Sequence, residues 1–303
     1  MQEKKNLLIA FDAFGTLFHP RVNIAEQYRT VSREHGIVLP TELSKISSTF
    51  GDAFKTESTE HPNYGKAFGI ETEKWWGNVI TKTLTPFLTP SQTIPPPLIA
   101  QIYHQFSSKH GYSFYSDVLP IFSLINSHSP SWKWDKTIIG VITNSDNRVP
   151  SVLESLGLSV GPRRFGSVSQ QRTTEQKKPD IDFVVLSYDV ESAKPDRKIF
   201  DAGVDMLRDV LDAEADDNDH NPKLSVKDFE KLYVGDEIDK DYLGAERAGW
   251  NALYLKRKEG KLLEPHGDGI EEMDELSKDE NGNEVVKKIR FITHLEQLQH
   301  WGP

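Results

Sequence analysis

The chain of 303 residues has no cysteine, which excludes disulfides, thiolate metal sites and a cysteine nucleophile together. It also lacks an excess of positive charge. Its 36 Lys and Arg stand against 46 Asp and Glu, a formal net charge of -10. That balance argues against an electrostatic grip on nucleic acid or on an anionic membrane surface. No apolar run approaches the ~18–20 residues of a membrane span. The start, MQEKKNLLIAFDAFG, lacks a signal-peptide layout, because its apolar stretch is short and leads directly into a motif. The expectation is a soluble cytoplasmic protein, with the nucleus left open. What the chain does have is globular: 37% hydrophobic and 27% charged residues supply the apolar mass for a core. The length suits one large domain or two ordinary ones.

Short apolar runs bounded by turn residues lie at Leu7 to Phe11, Thr137 to Thr143, Phe183 to Tyr188, Leu232 to Val234 and Ala252 to Leu255. Without alternation they fit strands of a parallel sheet buried on both faces. Helical patterns at Val149 to Leu156, Arg197 to Leu211 and Asp241 to Ala248 lie between the later runs. The alternation predicts a doubly wound α/β core. The first two strands are too far apart for a single crossover, and the interval reads as helices. These are Ile24 to His35, Thr41 to Thr56, Glu71 to Leu84, and Pro97 to His110 after Ile94-Pro95-Pro96. We therefore expect an all-helical insertion over 23–112, a second, smaller domain over the sheet, with 1–22 and 113–303 forming the core. Trp75, Trp76, Tyr28 and Phe50 read as packing inside that insertion rather than as a substrate cage. Gln170 to Asp180, Asp212 to Lys223 and Glu259 to Glu284 read as solvated loops. Asn281-Gly282 is a hairpin-turn signal, and the surrounding acidic string has the wrong spacing for a calcium loop.

Chemistry gathers at strand ends. The first strand runs into Asp12-Ala13-Phe14-Gly15-Thr16, and a carboxylate at the carboxyl end of a parallel strand lies where such sheets bind ligands. The second ends in Thr143-Asn144-Ser145, a hydroxyl and backbone N–H cradle for a phosphoryl or carboxylate oxygen. After the third comes Lys194-Pro195-Asp196, where the proline introduces a helix and leaves the lysine in the preceding loop. The fourth ends in Gly235-Asp236, with Asp241 five residues on. Carboxylates paired at a buried strand end need a cation between them, and Mg²⁺ with its preference for hard oxygen ligands is the natural one.

This ordered set resembles the haloacid dehalogenase-like (HAD) hydrolase superfamily over about 5–22 and 113–258. Within it the likeness is to the group of haloacid dehalogenase-like hydrolase domain-containing protein 3, through Gly235-Asp236, Asp241-Tyr242-x-Gly244 and the departure at Phe14. The resemblance implies a HAD-type Rossmannoid core with a helical cap, and hydrolysis of a small phosphorylated molecule. It implies Asp12 as nucleophile forming an aspartyl intermediate, with Thr143 and Lys194 holding the transferring group. Gly15, Thr16 and Asn144 become substrate contacts. Mg²⁺ would be held by Asp12, the Phe14 backbone carbonyl, Asp236 and Asp241, the last from beside the metal or Lys194. Phosphatases of the superfamily usually carry a second Asp where Phe14 stands, and losing that general acid costs ~10²–10⁴ in rate. An aromatic residue there resembles the 2-haloacid dehalogenases. Those, however, have Ser and Asn at the fourth motif and a Tyr where this chain has Phe200, and they need a cap arginine, for which Arg29 and Arg33 qualify by position alone. A third alternative is a HAD fold serving as a binding or regulatory module. His19 is close to the first motif and is a lesser candidate. Oligomeric state is not legible.

Overall fold

Leu7 to Phe11 are wholly shielded from solvent, as an unalternating apolar run requires of a strand covered on both faces. The computed structural model describes residues 6–127, 129–167, 178–217, 224–257, 269–278 and 284–303. Its strands are β1 (Asn6–Phe11), β2 (Phe18–Pro20), β3 (Tyr112–Phe114), β4 (Lys136–Thr143), β5 (Val160–Arg164), β6 (Ile181–Leu186), β7 (Phe229–Gly235), β8 (Asn251–Leu255), β9 (Glu271–Lys278) and β10 (Glu284–Ile292). The α-helices are α1 (Ile24–Glu34), α2 (Leu43–Glu60), α3 (Thr72–Leu84), α4 (Pro96–Gln105), α5 (Val118–Asn126), α6 (Val149–Leu156), α7 (Ser187–Val190), α8 (Arg197–Asp217) and α9 (Leu243–Arg247). Contacts divide the chain into two units. One comprises Met1–His19, Phe114–Asn144 and Leu158–Pro303; the other comprises Pro20–Ser113 and Ser145–Gly157.

The first unit is an α/β Rossmannoid core. Its sheet has the order β5-β6-β4-β1-β7-β8-β10-β9, and every pairing is parallel except β9 with β10. Ile199, Phe200, Met206, Leu207 and Val210 of α8 pack with Ile142, Phe183, Val185 and Tyr233 in one continuous apolar cluster. Three strands of this sheet lie beyond the sequence reading, as do β2 and β3, which pair with each other in a separate two-stranded sheet. β5 is an edge strand, VGPRR, where a proline is tolerated. β9 lies within the stretch 259–284 read as an acidic loop, and β10 begins at its last residue. There the apolar signal is thin: Met273 packs against the core, and Ile289, Phe291 and Ile292 are buried, while Glu272, Asp274 and Leu276 are exposed. Helix α8 likewise runs past Leu211 into Asp212-Ala213-Glu214-Ala215, because alanine and glutamate favour helix whatever their charge. The Asn281-Gly282 turn and the rest of the three polar segments (170–177, 218–223, 259–268 and 279–283) lie outside the described residues.

The second unit is built on α1 to α4 with α6. Tyr28, Val31, Ile46, Ile80, Leu84, Leu98 and Ile102 form its main core, and Trp75 packs with Ala53 and Val79 in a second cluster. Asn23 caps α1 by accepting the Ala25 N–H at 2.9 Å. Helix α6, which alternation alone assigns to the α/β core, belongs here by contacts, and Asp146 and Arg148 show why. The Arg148 guanidinium grips both Asp146 carboxylate oxygens at 2.9 Å, lies 4.1 Å from the Trp76 ring centroid, and donates to the Phe106 carbonyl at 3.3 Å. Trp76 completes the set by donating its ring N–H to Asp146 at 2.7 Å. Its indole is thus held in packing, as are Tyr28 and Phe50, whose rings meet edge to face at 5.7 Å.

Candidate active site

Because β6, β4, β1 and β7 are neighbours in that order, the segments that follow them converge at one edge of the sheet. Asp12 extends β1 by one residue, its N–H donating to the Val234 carbonyl at 2.9 Å. Thr143 closes β4, Lys194 follows β6, and Asp236 follows β7. Asp241 sits in a π-helical turn, Ile238–Tyr242, and its carboxylate folds back to accept the Glu237 N–H at 2.9 Å.

The Lys194 ammonium is the hub. It donates to Asp12 at 2.5 Å, to Asp241 at 2.6 Å and to the Tyr233 hydroxyl at 2.8 Å, which uses all three of its protons. Tyr233 in turn donates to the Ile142 carbonyl at 2.6 Å. Thr143 is almost fully buried and helps to hold the Asp12 pKa down against burial. Asp236 accepts the Thr16 hydroxyl at 2.9 Å. Carboxylate oxygens of Asp12, Asp236 and Asp241 lie within 4.8 Å of one another.

Two glycines make the approach possible. Gly15 has a positive φ of 84°, and a Cβ there would stand 2.2 Å from an Asp236 carboxylate oxygen. A Cβ on Gly235 would stand 2.3 Å from the Asp241 carboxyl carbon. Both turns therefore exist in this form only without side chains.

The site carries three carboxylates and one ammonium. Burial would lower the Lys194 pKa, but Asp12 and Asp241 raise it well beyond its ordinary value, so the ammonium stays charged. Burial pushes Asp12 up against the pull of Lys194, and Asp241 adds to the rise. Burial, then the charges of Asp12 and Asp241, push Asp236 up to about 7. Negative charge thus exceeds what Lys194 neutralises. A donor set of three clustered carboxylates, short of positive charge and walled by apolar strands, is chemically suited to a hard divalent cation.

The structure brings together Asp12, Thr143, Lys194, Asp236 and Asp241, and it shows the protein partners of Asn144 and Thr16. The Asn144 amide oxygen accepts the Lys194 N–H at 2.7 Å, and its NH₂ donates to the Lys194 carbonyl at 3.0 Å. Asn144 therefore splints the lysine loop. The Thr16 hydroxyl is directed at Asp236. Phe14 is 47% exposed, its ring edge-on to Phe18 at 5.9 Å. His19 rests on Tyr115, with ring centroids 4.7 Å apart. Arg29 pairs with Glu26 at 2.6 Å, Arg33 is exposed, and Phe200 is buried edge-on against Tyr233. Sequence reasoning missed Tyr233. Its signal was a phenol in the middle of a strand buried on both faces, where a hydroxyl must find a partner.

Relatives match most of the chain. An uncharacterized hydrolase of Schizosaccharomyces pombe is 30% identical over 255 residues, 84% of this chain and 92% of that protein. Haloacid dehalogenase-like hydrolase domain-containing protein 3 of Danio rerio is 24% identical over 253 residues, covering 84% and 86%. The chain belongs to the HAD-like hydrolase superfamily. Among solved structures, the HAD hydrolase YfnB of Bacillus subtilis, bound to magnesium, aligns with a TM-score of 0.47 at 14% identity over 84% of this chain and 89% of that one. No family model matches. Among the described residues of this HAD-like chain, no helix is long and apolar enough to cross a membrane.

Proposed function

We propose that this HAD-like chain is a Mg²⁺-dependent phosphohydrolase acting on a small phosphorylated molecule in the cytoplasm, with Asp12 as nucleophile. The supporting observation is the cluster of Asp12, Asp236 and Asp241 around the single ammonium of Lys194. Asp12, Asp236, Asp241 and the Phe14 backbone carbonyl would hold Mg²⁺, which when bound supplies the positive charge that lets a carboxylate approach an anionic phosphoryl group. Lys194 and Thr143 steady Asp12 and offer donors to the phosphoryl oxygens as charge builds on them. One Asp12 oxygen forms the new P–O bond while the bond to the leaving oxygen breaks. Water then cleaves the resulting aspartyl phosphate and regenerates the carboxylate.

Phe14 has no proton to give the leaving oxygen. The favoured substrates are therefore those whose leaving group departs as a stable anion, acyl phosphates above all. The helical insertion 23–112 would be the cap that selects among them. Asp236 is what favours phosphoryl transfer over halide displacement, since a carboxylate attacking a carbon–halogen bond gains nothing from a third acid beside it. Phosphate release from acetyl phosphate and an aryl phosphate, with and without Mg²⁺, tests the proposal. Turnover that needs Mg²⁺ and disappears in Asp12→Asn is expected; equal turnover by wild type and Asp12→Asn would overturn it.

A further inference from the structure

Just past the end of β8, Arg257 holds a buried ion pair that the chemistry above does not use. Its guanidinium side chain is 3% exposed. One terminal nitrogen donates to Asp117 at 2.9 Å, and the other donates to Asp117 and to the Thr16 carbonyl, both at 3.0 Å. The guanidinium carbon lies 4.0 Å from the Tyr115 ring centroid. Asp117 also accepts the Leu295 N–H at 2.8 Å. One charged group thus ties the turn after β1 to the start of α5 and, through Asp117, to the segment after β10.

Buried ion pairs contribute little net stability compared with apolar side chains of the same shape, so the value of this one lies in geometry. Thr16 is the only residue of the turn that meets both Arg257, through its carbonyl, and Asp236, through its hydroxyl. We propose that Arg257 is a positioning residue for the carboxylate site: by fixing the Thr16 backbone it sets where the Thr16 hydroxyl, and with it the Asp236 carboxylate, lies. This rests on the reading of Asp12, Asp236 and Asp241 as a Mg²⁺ site. Lysine is no substitute, because a point charge cannot grip a carboxylate with two parallel bonds and reach a carbonyl at once.

The experiment is calorimetric titration of Mg²⁺ into wild type, Arg257→Lys, Arg257→Ala, Thr16→Val and the double variant Arg257→Lys with Thr16→Val. Ile289→Ala, a core substitution away from the turn, controls for a general loss of stability. Supporting partners of a metal ligand typically contribute 10–100-fold to affinity, so Arg257→Lys is expected to weaken Mg²⁺ binding about tenfold, while Ile289→Ala leaves it unchanged. Millimolar guanidinium should restore part of the affinity of Arg257→Ala. In the Thr16→Val background, Arg257→Lys should add no further loss, since the link it acts through is already gone. A folded Arg257→Lys with wild-type Mg²⁺ affinity overturns the positioning role alone, as do effects of the two substitutions that simply add. A wild type that binds no Mg²⁺ overturns this role and the site reading together. Should Arg257→Ala fail to fold, Arg257→Lys and the double variant decide.

Discussion

Replacing Gly15 by alanine isolates what the turn after β1 does for the site. Two penalties fall on this one methyl group. Gly15 has φ 84°, and an L residue held in that left-handed region costs about 1–2 kcal/mol. At roughly 2–4 °C per kcal/mol for a chain of this size, the melting temperature should fall by about 2–8 °C. The second penalty is local. The new Cβ would lie 2.2 Å from an Asp236 oxygen, whereas real contacts stay beyond 3.0 Å, so the carboxylate must retreat by at least the difference, 0.8 Å. Both Asp236 oxygens lie inside that limit, at 2.2 and 2.8 Å, so the whole carboxylate, including the oxygen that Thr16 bonds, must be displaced from its place in the cluster. A misplacement of about 1 Å at a reacting centre can cost ~10²-fold in rate. Gly249 is the control: its φ is 79°, yet nothing lies within 4 Å of a Cβ built there. Gly249→Ala should therefore show the melting loss of the backbone strain alone, no larger than that of Gly15→Ala, while keeping wild-type phosphate release, and Gly15→Ala should lose about two orders of magnitude. Equal turnover in Gly15→Ala and wild type would refute the reasoning. So would an equal loss in Gly249→Ala, because it would trace the defect to backbone strain rather than to Asp236.

Restoring an acid with Phe14→Asp should raise turnover of simple alkyl phosphates by ~10²–10⁴ while barely changing that of acyl phosphates; steady-state rates on both classes check it, and equal gains would show that leaving-group protonation is not what Phe14 withholds. Because Asp236 is raised to about 7 and must lose its proton to bind a cation, Mg²⁺ affinity measured by calorimetry should rise about tenfold between about pH 6 and about pH 8. Asp236→Asn should flatten that profile, and a flat wild-type profile would contradict the raised pKa. In the helical unit, burial would raise Glu57, but bonds from Lys82, Asn78 and His61 hold it below its ordinary value of 4.5. A depressed carboxylate adds stability that is present above that value and lost as pH falls through its folded pKa. Thermal melts of wild type and Glu57→Gln should therefore be well separated at neutral pH and converge as the pH falls through the lowered folded pKa of Glu57; a constant separation would show that the charge of Glu57 is irrelevant.

The carboxylate cluster was legible in the sequence because each member interrupts a pattern. Asp12 ends an unbroken apolar run, Asp236 follows Tyr233-Val234-Gly235, and Asp241 comes five residues later, just before the Leu243-Gly244-Ala245 stretch. Charge placed against doubly buried strands costs too much to be incidental, and parallel order alone carries such residues to one edge of the sheet. Contacts between side chains far apart in the chain had no such signature. Asn144 and Lys194 are 50 positions apart, so nothing local showed that the amide would bond the lysine backbone. Arg257 and Asp117 are 140 apart, and each alone resembles a surface charge. β9 escaped for another reason: with Glu272 and Asp274 on its exposed face and few apolar residues opposite, its period of two is nearly drowned, while in β10 exposed Val285 and Val286 blur the alternation. The strand burial that made the site readable also sets its chemistry. The walls that exclude water from Asp12 and Asp236 raise both carboxyls, and Lys194 already has all three donors engaged. Among the described residues no second ammonium or guanidinium bonds these carboxylates, and that shortage of positive charge is what supports the proposal of a divalent cation.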